Sequence, residues 1–335
     1  MEVWLHSFSF PHRTAELARR AEGWGFTGML VADSQNLNAD VWIELALAAA
    51  ATERLHLGPG VTNPLTRHSS VTAAAAATLQ VESGGRAVLG LGRGDSALSQ
   101  IGREPAHVAV FERALTEIQG FLRGETVELE NGFGSTNAWI AGSGQPKVPV
   151  AVAASGPHVI EAGARHADQI DFTVGAEEDR LLWAIETARA VNGTASLGAF
   201  VNVAVDDDRD AARDLVRGNT SILARFAAEG APLDGLSEVT RDGIAELAAD
   251  YDEARHGQSS AGAARRMSSE FIDRFAVCGP ATEVADRLAS LASLGLDRLI
   301  VVPGSLDADP DEVGRSNERF AADVLPRLHA THRDG

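Results

Sequence analysis

The sequence of 335 residues has a single cysteine, Cys278, and a single lysine, Lys147. One cysteine excludes an intramolecular disulfide and any cysteine-rich metal site. Basic residues are also few, with 29 Lys and Arg against 47 Asp and Glu, which gives a formal net charge of -18. We therefore expect no general surface for nucleic acid or an anionic membrane, and an anionic ligand would need helix N-termini or individual arginines.

Long apolar segments are missing too. The chain has no run of 18 apolar residues, and its first ten residues, MEVWLHSFSF, lack the basic start and apolar stretch of a secretion signal. A cytoplasmic protein is the expectation. What the chain does contain is 44% hydrophobic and 23% charged residues, which are ordinary proportions for a globular protein.

Short β-rich runs alternate with amphipathic Ala/Leu/Arg segments along the chain. We predict strands at 3–8, 28–33, 54–59, 87–92, 149–154, 169–174, 199–205 and 297–302. Helical patterns lie near 13–23, 40–52, 69–82, 107–123, 157–166, 177–191, 209–228, 281–294 and 311–328. Strand–helix alternation predicts a parallel sheet, and eight repeats predict an α/β fold, a (β/α)8 TIM barrel, formed by the single domain 1–335.

Three segments interrupt the alternation. Residues 93–107 form a long connection between the fourth strand and the next helix, and residues 125–147 have a hairpin-like pattern. The largest insertion, at about 230–270 between strands 7 and 8, has a helical pattern at 238–255 and then a Gly/Ser/Ala-rich break. Long connections in a compact domain are usually lids or binding loops, so we expect these segments to shape a substrate pocket.

The active site of such a barrel lies at the C-terminal ends of its strands. The residues at these positions are mostly small or polar: His6, Ser7, Asp33, Ser34, Gln35, 58–63, 92–96, 154–156 and 174–175. Recurrent glycines among them would let a planar ligand or a phosphate approach the backbone. No cluster has metal-ligand spacing and no serine-nucleophile motif occurs, so neither a metal nor a covalent serine mechanism is predicted.

Several of these positions allow two interpretations. His6 is either a buried core histidine or a general acid with a pKa near neutrality. Asp95 either caps the turn after GRG or orients a substrate. Ser155 with Pro157 predicts the start of a helix, either as an ordinary cap or as a phosphate site. GLGRG, residues 90–94, lacks the full spacing of a dinucleotide-binding turn.

Four segments together resemble one superfamily. They are GWGFTGMLVADS (23–34), the long segment from LHLGPGVTNP to GLGRGDSALSQIG (55–102), AASGPHVIEAGARHAD (153–168) and FAVCGPATEVADRL (275–288). The chain resembles the bacterial luciferase-like flavin and deazaflavin oxidoreductases, and within them the branch of coenzyme F420-dependent methylenetetrahydromethanopterin reductases. The resemblance covers nearly the whole chain.

This resemblance implies a cofactor site. The peptide bond Gly60–Val61 would be cis and its bulge would press on the back of the deazaflavin ring. Residues along the edge of the ring or near ring and substrate would be Asp33, Ser34, Thr62, Asn63, Arg93 and Asp95. Residues at the phosphate of the cofactor would be Ala154, Ser155, Gly156 and Gly175.

Two residues depart from patterns within the superfamily. The deazaflavin sugar-phosphate dehydrogenases have a catalytic histidine where Ser34 stands, and the methanopterin reductases have a glutamate where His6 stands. We therefore predict neither the alcohol-oxidation mechanism of the former nor the pterin substrate of the latter. The resemblance implies hydride transfer from reduced F420 to a small organic substrate, with His6 as proton donor and Asp95 or Ser34 placing the substrate.

The sequence also allows two other functions. The main alternative is an FMN-dependent monooxygenase that uses reduced flavin and O2, and a second is a binding protein without a cofactor. The Ala-rich helices near 45–51 and 73–77 suggest close helix packing, and with the resemblance they predict a homodimer.

Overall fold

The computed structural model describes residues 1–228 and 236–330. Its strands are β1 (Glu2–Ser7), β2 (Gly28–Val31), β3 (His56–Pro59), β4 (Leu89–Leu91), β5 (Thr126–Glu128), β6 (Gly134–Thr136), β7 (Val150–Ala154), β8 (Gln169–Phe172), β9 (Ser196–Val205), β10 (Val277–Gly279) and β11 (Arg298–Val302). Eight of them form a parallel sheet in the order β3-β2-β1-β11-β9-β8-β7-β4. Two parallel bridges, Leu57 to Ala87 and Thr62 to Leu91, join its outer strands. The predicted TIM barrel is thereby confirmed.

Helices surround this barrel. They are α1 (Thr14–Trp24), α2 (Val41–Ala50), α3 (Ser69–Glu82), α4 (Ser96–Ser99), α5 (Val108–Leu122), α6 (Pro157–His166), α7 (Glu178–Val191), α8 (Arg209–Ala228), α9 (Glu238–Ala249), α10 (Gly262–Arg266), α11 (Ser269–Phe275), α12 (Ala281–Ser293), α13 (Pro310–Arg319) and α14 (Leu325–Ala330). One π-helical turn, Phe320–Val324, joins α13 to α14. None of the helices in the described ranges has the length and apolar composition that crossing a bilayer requires.

The alternation of side chains along the strands separates two cores. Trp4, Leu30, Phe200 and Ile300 pack inside the barrel with residues of α8 and α11. Their strand neighbours, such as Val201, pack outward against the surrounding helices. Because side chains of a strand point alternately to opposite faces, every second residue at a strand end faces the mouth of the barrel.

A buried ion pair lies in the lower part of the barrel interior. Arg298 of β11 donates two hydrogen bonds to the carboxylate of Asp171 on β8. The guanidinium also stacks over the ring of Trp4, 4.7 Å from its centroid. Mutual pairing is what makes two buried charges tolerable at this position.

The connections differ in how closely they follow the sequence patterns. Residues 125–147 contain the antiparallel pair β5 and β6, as the hairpin-like pattern predicts. The chain between β9 and β11 contains α8 to α12 and also β10, which pairs in parallel with the end of β9. The predicted strands do not include β10, because a strand of three residues is too short to show an alternating pattern. Residues 230–235 of the predicted insertion lie outside the described ranges.

Cys278 lies in β10 and its side chain is buried. Burial raises the pKa of the thiol to about 11. A protonated, buried thiol is unreactive, which agrees with the structural role expected for this residue.

Candidate active site

A cavity of about 230 Å³ opens at the C-terminal end of the barrel. Loops after the strands form most of its wall, and α8 covers one side. The predicted site residues in the wall are His6, Asp33, Ser34, Gly60, Val61, Arg93, Asp95, Ser155 and Gly156. Thr62, Asn63, Ala154 and Gly175 lie behind it or beside it. The sequence therefore located the mouth of the cavity, while the positions of individual side chains depend on the packing.

The segment after β3 forms one part of the wall. The Gly60–Val61 peptide bond is cis, as the resemblance implies. Two backbone hydrogen bonds hold Thr62 against the neighbouring strand, Thr62 N–H to Gly90 O at 3.0 Å and Gly92 N–H to Thr62 O at 2.9 Å. A Cβ atom on Gly92 would lie 2.7 Å from Cγ2 of Val61, so the close approach of the two segments requires glycine there.

Asp33 supports this segment from behind. The residue is 3% exposed, and its Oδ2 accepts hydrogen bonds from Thr62 Oγ1 at 2.7 Å and Arg67 Nη1 at 2.5 Å. Its Oδ1 accepts a bond from Gln35 Nε2 at 2.8 Å. Both carboxylate oxygens are thus bound by protein groups, and the ion pair with Arg67 connects the loop after β2 to the loop after β3.

Asn63, Ala154 and Gly175 have structural surroundings that explain their residue types. Asn63 Oδ1 accepts hydrogen bonds from the N–H groups of Leu65 and Thr66, each at 3.0 Å. Ala154 packs in the outer core, and its neighbour Ala153 lines the cavity instead. Gly175 has φ +85°, and a Cβ atom there would lie 2.5 Å from the ring of Phe275. The packing on Phe275 requires glycine without reference to a ligand.

His6 lines the cavity, and the centroid of its ring is 6.1 Å from that of Phe8 and 5.9 Å from that of Phe200. Its Nε2 is 2.8 Å from the carbonyl oxygen of Gly60. Since a carbonyl only accepts, Nε2 carries the proton. Burial lowers the pKa of His6 to about 4. At neutral pH the ring is therefore neutral, with a lone pair at Nδ1. The role of His6 as proton donor stays a prediction.

Asp95 is bound to the segment between β9 and β11. Its carboxylate forms an ion pair with Arg225 of α8 at 2.5 Å, and burial raises the pKa of Asp95 although Arg225 opposes the shift. Arg225 also stacks on Tyr251, whose hydroxyl is 2.8 Å from Nδ1 of His256. Burial and the nearby Arg225 lower the pKa of His256 to about 4. These four residues connect the loop after β4 to the covering helix.

Two further side chains hold the loops of the wall. Arg93 donates from Nε to the carbonyl oxygen of Ala106 at 2.6 Å, and Ala106 N–H returns a bond to Arg93 O at 3.0 Å. Ser34 Oγ is 3.3 Å from Ser96 Oγ. Residues 93–107 are thus closed into a loop that is fixed at both ends, beside the end of β2.

The first turn of α6 forms the rim of the cavity. The helix begins at Pro157 as predicted, but its N-cap is Gly156 rather than Ser155, and no side chain caps it. The first N–H groups of a helix lack partners within the helix and carry the positive end of its dipole. Ser155 and Gly156 both line the cavity at this point. The arrangement can bind an anionic group such as a phosphate.

Several cavity residues were not among the sequence candidates. They are Phe8, Phe200, Asn202, Asn219, Ile222, Leu223, Phe226, His256 and Val302. Most come from β9, from α8 or from the segment after α9, where no local pattern indicates contact with the barrel mouth. Asn202 did carry a signal, since an amide interrupts the apolar run AFVNVAV.

Comparison with known proteins agrees with these features. A family model described as luciferase-like monooxygenase matches residues 3–298. The chain belongs to this family. It is similar to the 5,10-methylenetetrahydromethanopterin reductase of Archaeoglobus fulgidus, with 29% identity over 92% of this chain and 93% of the relative. The enzyme of the same name from Methanopyrus kandleri is 30% identical over 95% of this chain and 95% of the relative. An F420-dependent glucose-6-phosphate dehydrogenase of Beutenbergia cavernae is 30% identical over 86% of this chain and 83% of its own. This luciferase-like protein is an oxidoreductase.

Solved structures share the same fold. The coenzyme F420-dependent tetrahydromethanopterin reductase of Methanopyrus kandleri has a TM-score of 0.76 with 22% identity and covers 98% of this chain and 99% of its own. An F420-dependent secondary alcohol dehydrogenase has a TM-score of 0.74 with 18% identity. The match covers 98% of this chain and 99% of the dehydrogenase chain. A type II Baeyer-Villiger monooxygenase of Pseudomonas putida in complex with FMN has a TM-score of 0.68 with 18% identity. The match covers 97% of this chain and 98% of the monooxygenase chain. At these identities the likeness of the luciferase-like protein to each of them concerns the fold.

Proposed function

We propose that this luciferase-like protein is an F420-dependent oxidoreductase that transfers a hydride between C5 of the deazaflavin and a small organic substrate. One observation carries the proposal. The cavity combines a wall segment at Gly60 and Val61, where close packing requires glycine at positions 60 and 92, with an uncapped helix start at Gly156. The curated relatives, which include an enzyme named as F420-dependent, support the choice of cofactor.

Both features suit the parts of F420. A planar ring would lie against the wall at Gly60, Val61 and Gly92, where a side chain on either glycine would collide with Leu30 or Val61. The phosphate of the cofactor would lie at Ser155 and Gly156, where helix N–H groups offset the acidic character of the chain. When bound, F420 supplies a two-electron hydride donor or acceptor.

The side chains around the cavity have separate roles in this proposal. His6 exchanges a proton with the substrate. Its neutral ring accepts a proton at Nδ1 when the substrate is oxidised, and the imidazolium returns it in the reverse direction. Ser34 orients the substrate from the loop after β2. Asp95, held by Arg225, positions the loop after β4, and Asp33 supports the ring wall through Thr62.

The rest of the cavity wall excludes water. Phe8, Phe200 and Phe226 are apolar side chains of that wall, and α8 covers it. A dry pocket strengthens hydrogen bonds to the reacting groups and holds donor and acceptor in one geometry. We expect specificity to depend on residues of α8, because this helix contributes Asn219, Ile222 and Leu223 to the wall.

The test is a paired titration of the purified apoprotein with F420 and with FMN, followed by fluorescence quenching. Micromolar or tighter binding of F420 with weak binding of FMN is expected. FMN also has a planar ring and a phosphate, so preference for FMN would replace this proposal with the oxygen-dependent monooxygenase. Binding of neither cofactor would favour a binding protein without redox activity.

We also propose that the protein is a homodimer. Helices α2 and α3 expose large apolar side chains: Ile43 is 63%, Leu47 52% and Val71 54% exposed. Ile43 and Leu47 are one helical turn apart and therefore share a face of α2. Apolar side chains grouped on a surface favour burial against a partner, and a second copy of this chain presents the same surface.

A further inference from the structure

Asn202 is a buried amide that points into the cavity. It lies near the end of β9 and is 0% exposed. Phe200 and Ala204 pack inside the barrel, whereas Val201 and Val203 pack outside, so the alternation of the strand directs Asn202 inward. The side chain lines the cavity, and within the described ranges neither its Oδ1 nor its Nδ2 has a hydrogen-bond partner.

Asn219 of α8 presents a second amide to the same cavity. The residue is 3% exposed, and its Nδ2 donates a hydrogen bond to the carbonyl oxygen of Gly304. This bond fixes the orientation of the amide and leaves Oδ1 as an acceptor, which has no partner among residues 1–228 and 236–330.

Both amides lie beside the end of β11. Asn202 is opposite Val302 in the register of β9 and β11, and Asn219 is bonded to Gly304, two residues further along the chain. The two residues therefore lie beside neighbouring points of one segment. Buried polar groups are nearly always hydrogen-bonded, and leaving them without partners costs stability, so two such amides on one cavity indicate a ligand.

We infer that Asn202 and Asn219 bind the polar end of the substrate, and that this end is a neutral group with an N–H donor beside a carbonyl acceptor, such as a lactam or secondary amide. Asn219 Oδ1 requires a donor from the substrate, whereas Asn202 can donate from Nδ2 to a carbonyl. A carboxylate or phosphate only accepts, so it would leave Asn219 unsatisfied. The inference rests on the proposed function only for the reacting part of the substrate.

The test compares two probes of nearly equal shape. The unsaturated lactam 5,6-dihydropyridin-2(1H)-one has an N–H group where the lactone 5,6-dihydro-2H-pyran-2-one has an oxygen. Binding to the full-length protein is measured by ligand-observed NMR titration, with and without F420. We expect the lactam to bind about tenfold more tightly than the lactone, because the lactone leaves a buried acceptor unpaired.

Two variants connect this preference to the amides. Asn219→Leu should reduce the preference for the lactam to about twofold or less. Asn202→Leu should weaken the binding of both probes, because both have the carbonyl, and should leave the preference between them unchanged. Asn202→Leu removes an unpartnered amide from the interior, so its Tm should be equal to or higher than that of the unsubstituted protein. Asn131→Ala, in the exposed turn between β5 and β6, should leave the preference unchanged.

The outcomes separate this inference from the proposed function. Equal affinity for lactam and lactone, no detectable lactam binding, an unchanged preference in Asn219→Leu, or unchanged binding of both probes in Asn202→Leu would overturn the inference. A lactam preference that is lost in Asn219→Leu while F420 fails to bind would support the inference and refute the proposed cofactor.

Discussion

The Nε2 atom of His6 donates a hydrogen bond to the carbonyl oxygen of Gly60 over 2.8 Å. This bond joins the end of β1 to the wall segment after β3, and it fixes the tautomer of the ring with the lone pair at Nδ1. The position of the proton acceptor and the position of the ring wall are therefore set together. A change in either residue should affect both catalysis and cofactor binding.

The low pKa of His6 predicts a pH dependence of stability. Its pKa is about 4 in the folded protein against the ordinary 6.5, so the unfolded chain binds more protons between these values. The free energy of unfolding should fall as the pH is lowered from 6.5 to 4, by up to roughly 3 kcal/mol for this residue. His256 acts in the same direction.

Urea unfolding of the unsubstituted protein and of His6→Gln at about pH 4.5 and pH 7.5 measures this dependence. His6→Gln should lose clearly less stability on acidification, because glutamine does not titrate. His158→Gln, an exposed histidine at the start of α6, serves as the matched control and should behave like the unsubstituted protein. An equal loss of unfolding free energy between these two pH values in all three proteins would contradict the assigned pKa.

Breaking the ion pair between Arg225 and Asp95 should destabilise the protein and disorder the substrate side of the cavity. Both side chains are 17% exposed, so Arg225→Met leaves a largely buried carboxylate without its partner, at a cost of about 1–3 kcal/mol. The double variant with Asp95→Asn should recover part of this loss. Denaturant unfolding of both single variants and the double variant gives the coupling energy.

Arg165 provides the control for this cycle. Its pair with Glu112 has side chains that are 44% and 32% exposed, and Arg165→Met should change stability by less than about 1 kcal/mol. A coupling energy near zero for Asp95 and Arg225 would mean that the pair does not hold the loop after β4.

Gly92→Ala should weaken cofactor binding. The new Cβ would lie 2.7 Å from Cγ2 of Val61 and must displace the wall segment, with an expected loss of about 1–3 kcal/mol in stability. F420 affinity, measured by fluorescence titration, should fall about tenfold or more, because the ring then meets a shifted surface. Gly193→Ala is the control, since a Cβ there meets no atom within 4 Å. Unchanged affinity in Gly92→Ala would place the ring elsewhere in the cavity.

Leu47→Glu should convert the proposed dimer to a monomer. The side chain is 52% exposed on the apolar face of α2, and a carboxylate buried in an apolar interface would lose its hydration without gaining a partner. Sedimentation velocity at micromolar concentration measures the change. Val191→Glu, at the end of α7 where valine is 40% exposed, should leave the assembly unchanged. A monomeric unsubstituted protein would refute the dimer directly.

The residues around the ring wall illustrate how far sequence patterns lead. GPGVTNP and GLGRGD follow predicted strands, and both lie at the mouth of the barrel, because parallel strands place all their C-terminal ends on one side. Ala154 was expected at the cofactor and lies in the outer core, whereas Ala153 lines the cavity. Neighbouring residues of a strand point to opposite faces of the sheet. A run of small apolar residues without alternating polar ones does not specify which of them faces the cavity.

The sequence by itself determined the barrel, the family and the end of the barrel that contains the site. These features depend on the period of apolar residues and on Gly and Pro positions, which are local properties of the chain. Only the tertiary structure decided what the candidate side chains do. The carboxylate of Asp33 accepts hydrogen bonds from Arg67 and Thr62. The carboxylate of Asp95 forms an ion pair with Arg225, 130 residues away. The charge, the protonation state and the free hydrogen-bonding atoms of a side chain depend on burial and on partners distant in sequence, which no local pattern specifies.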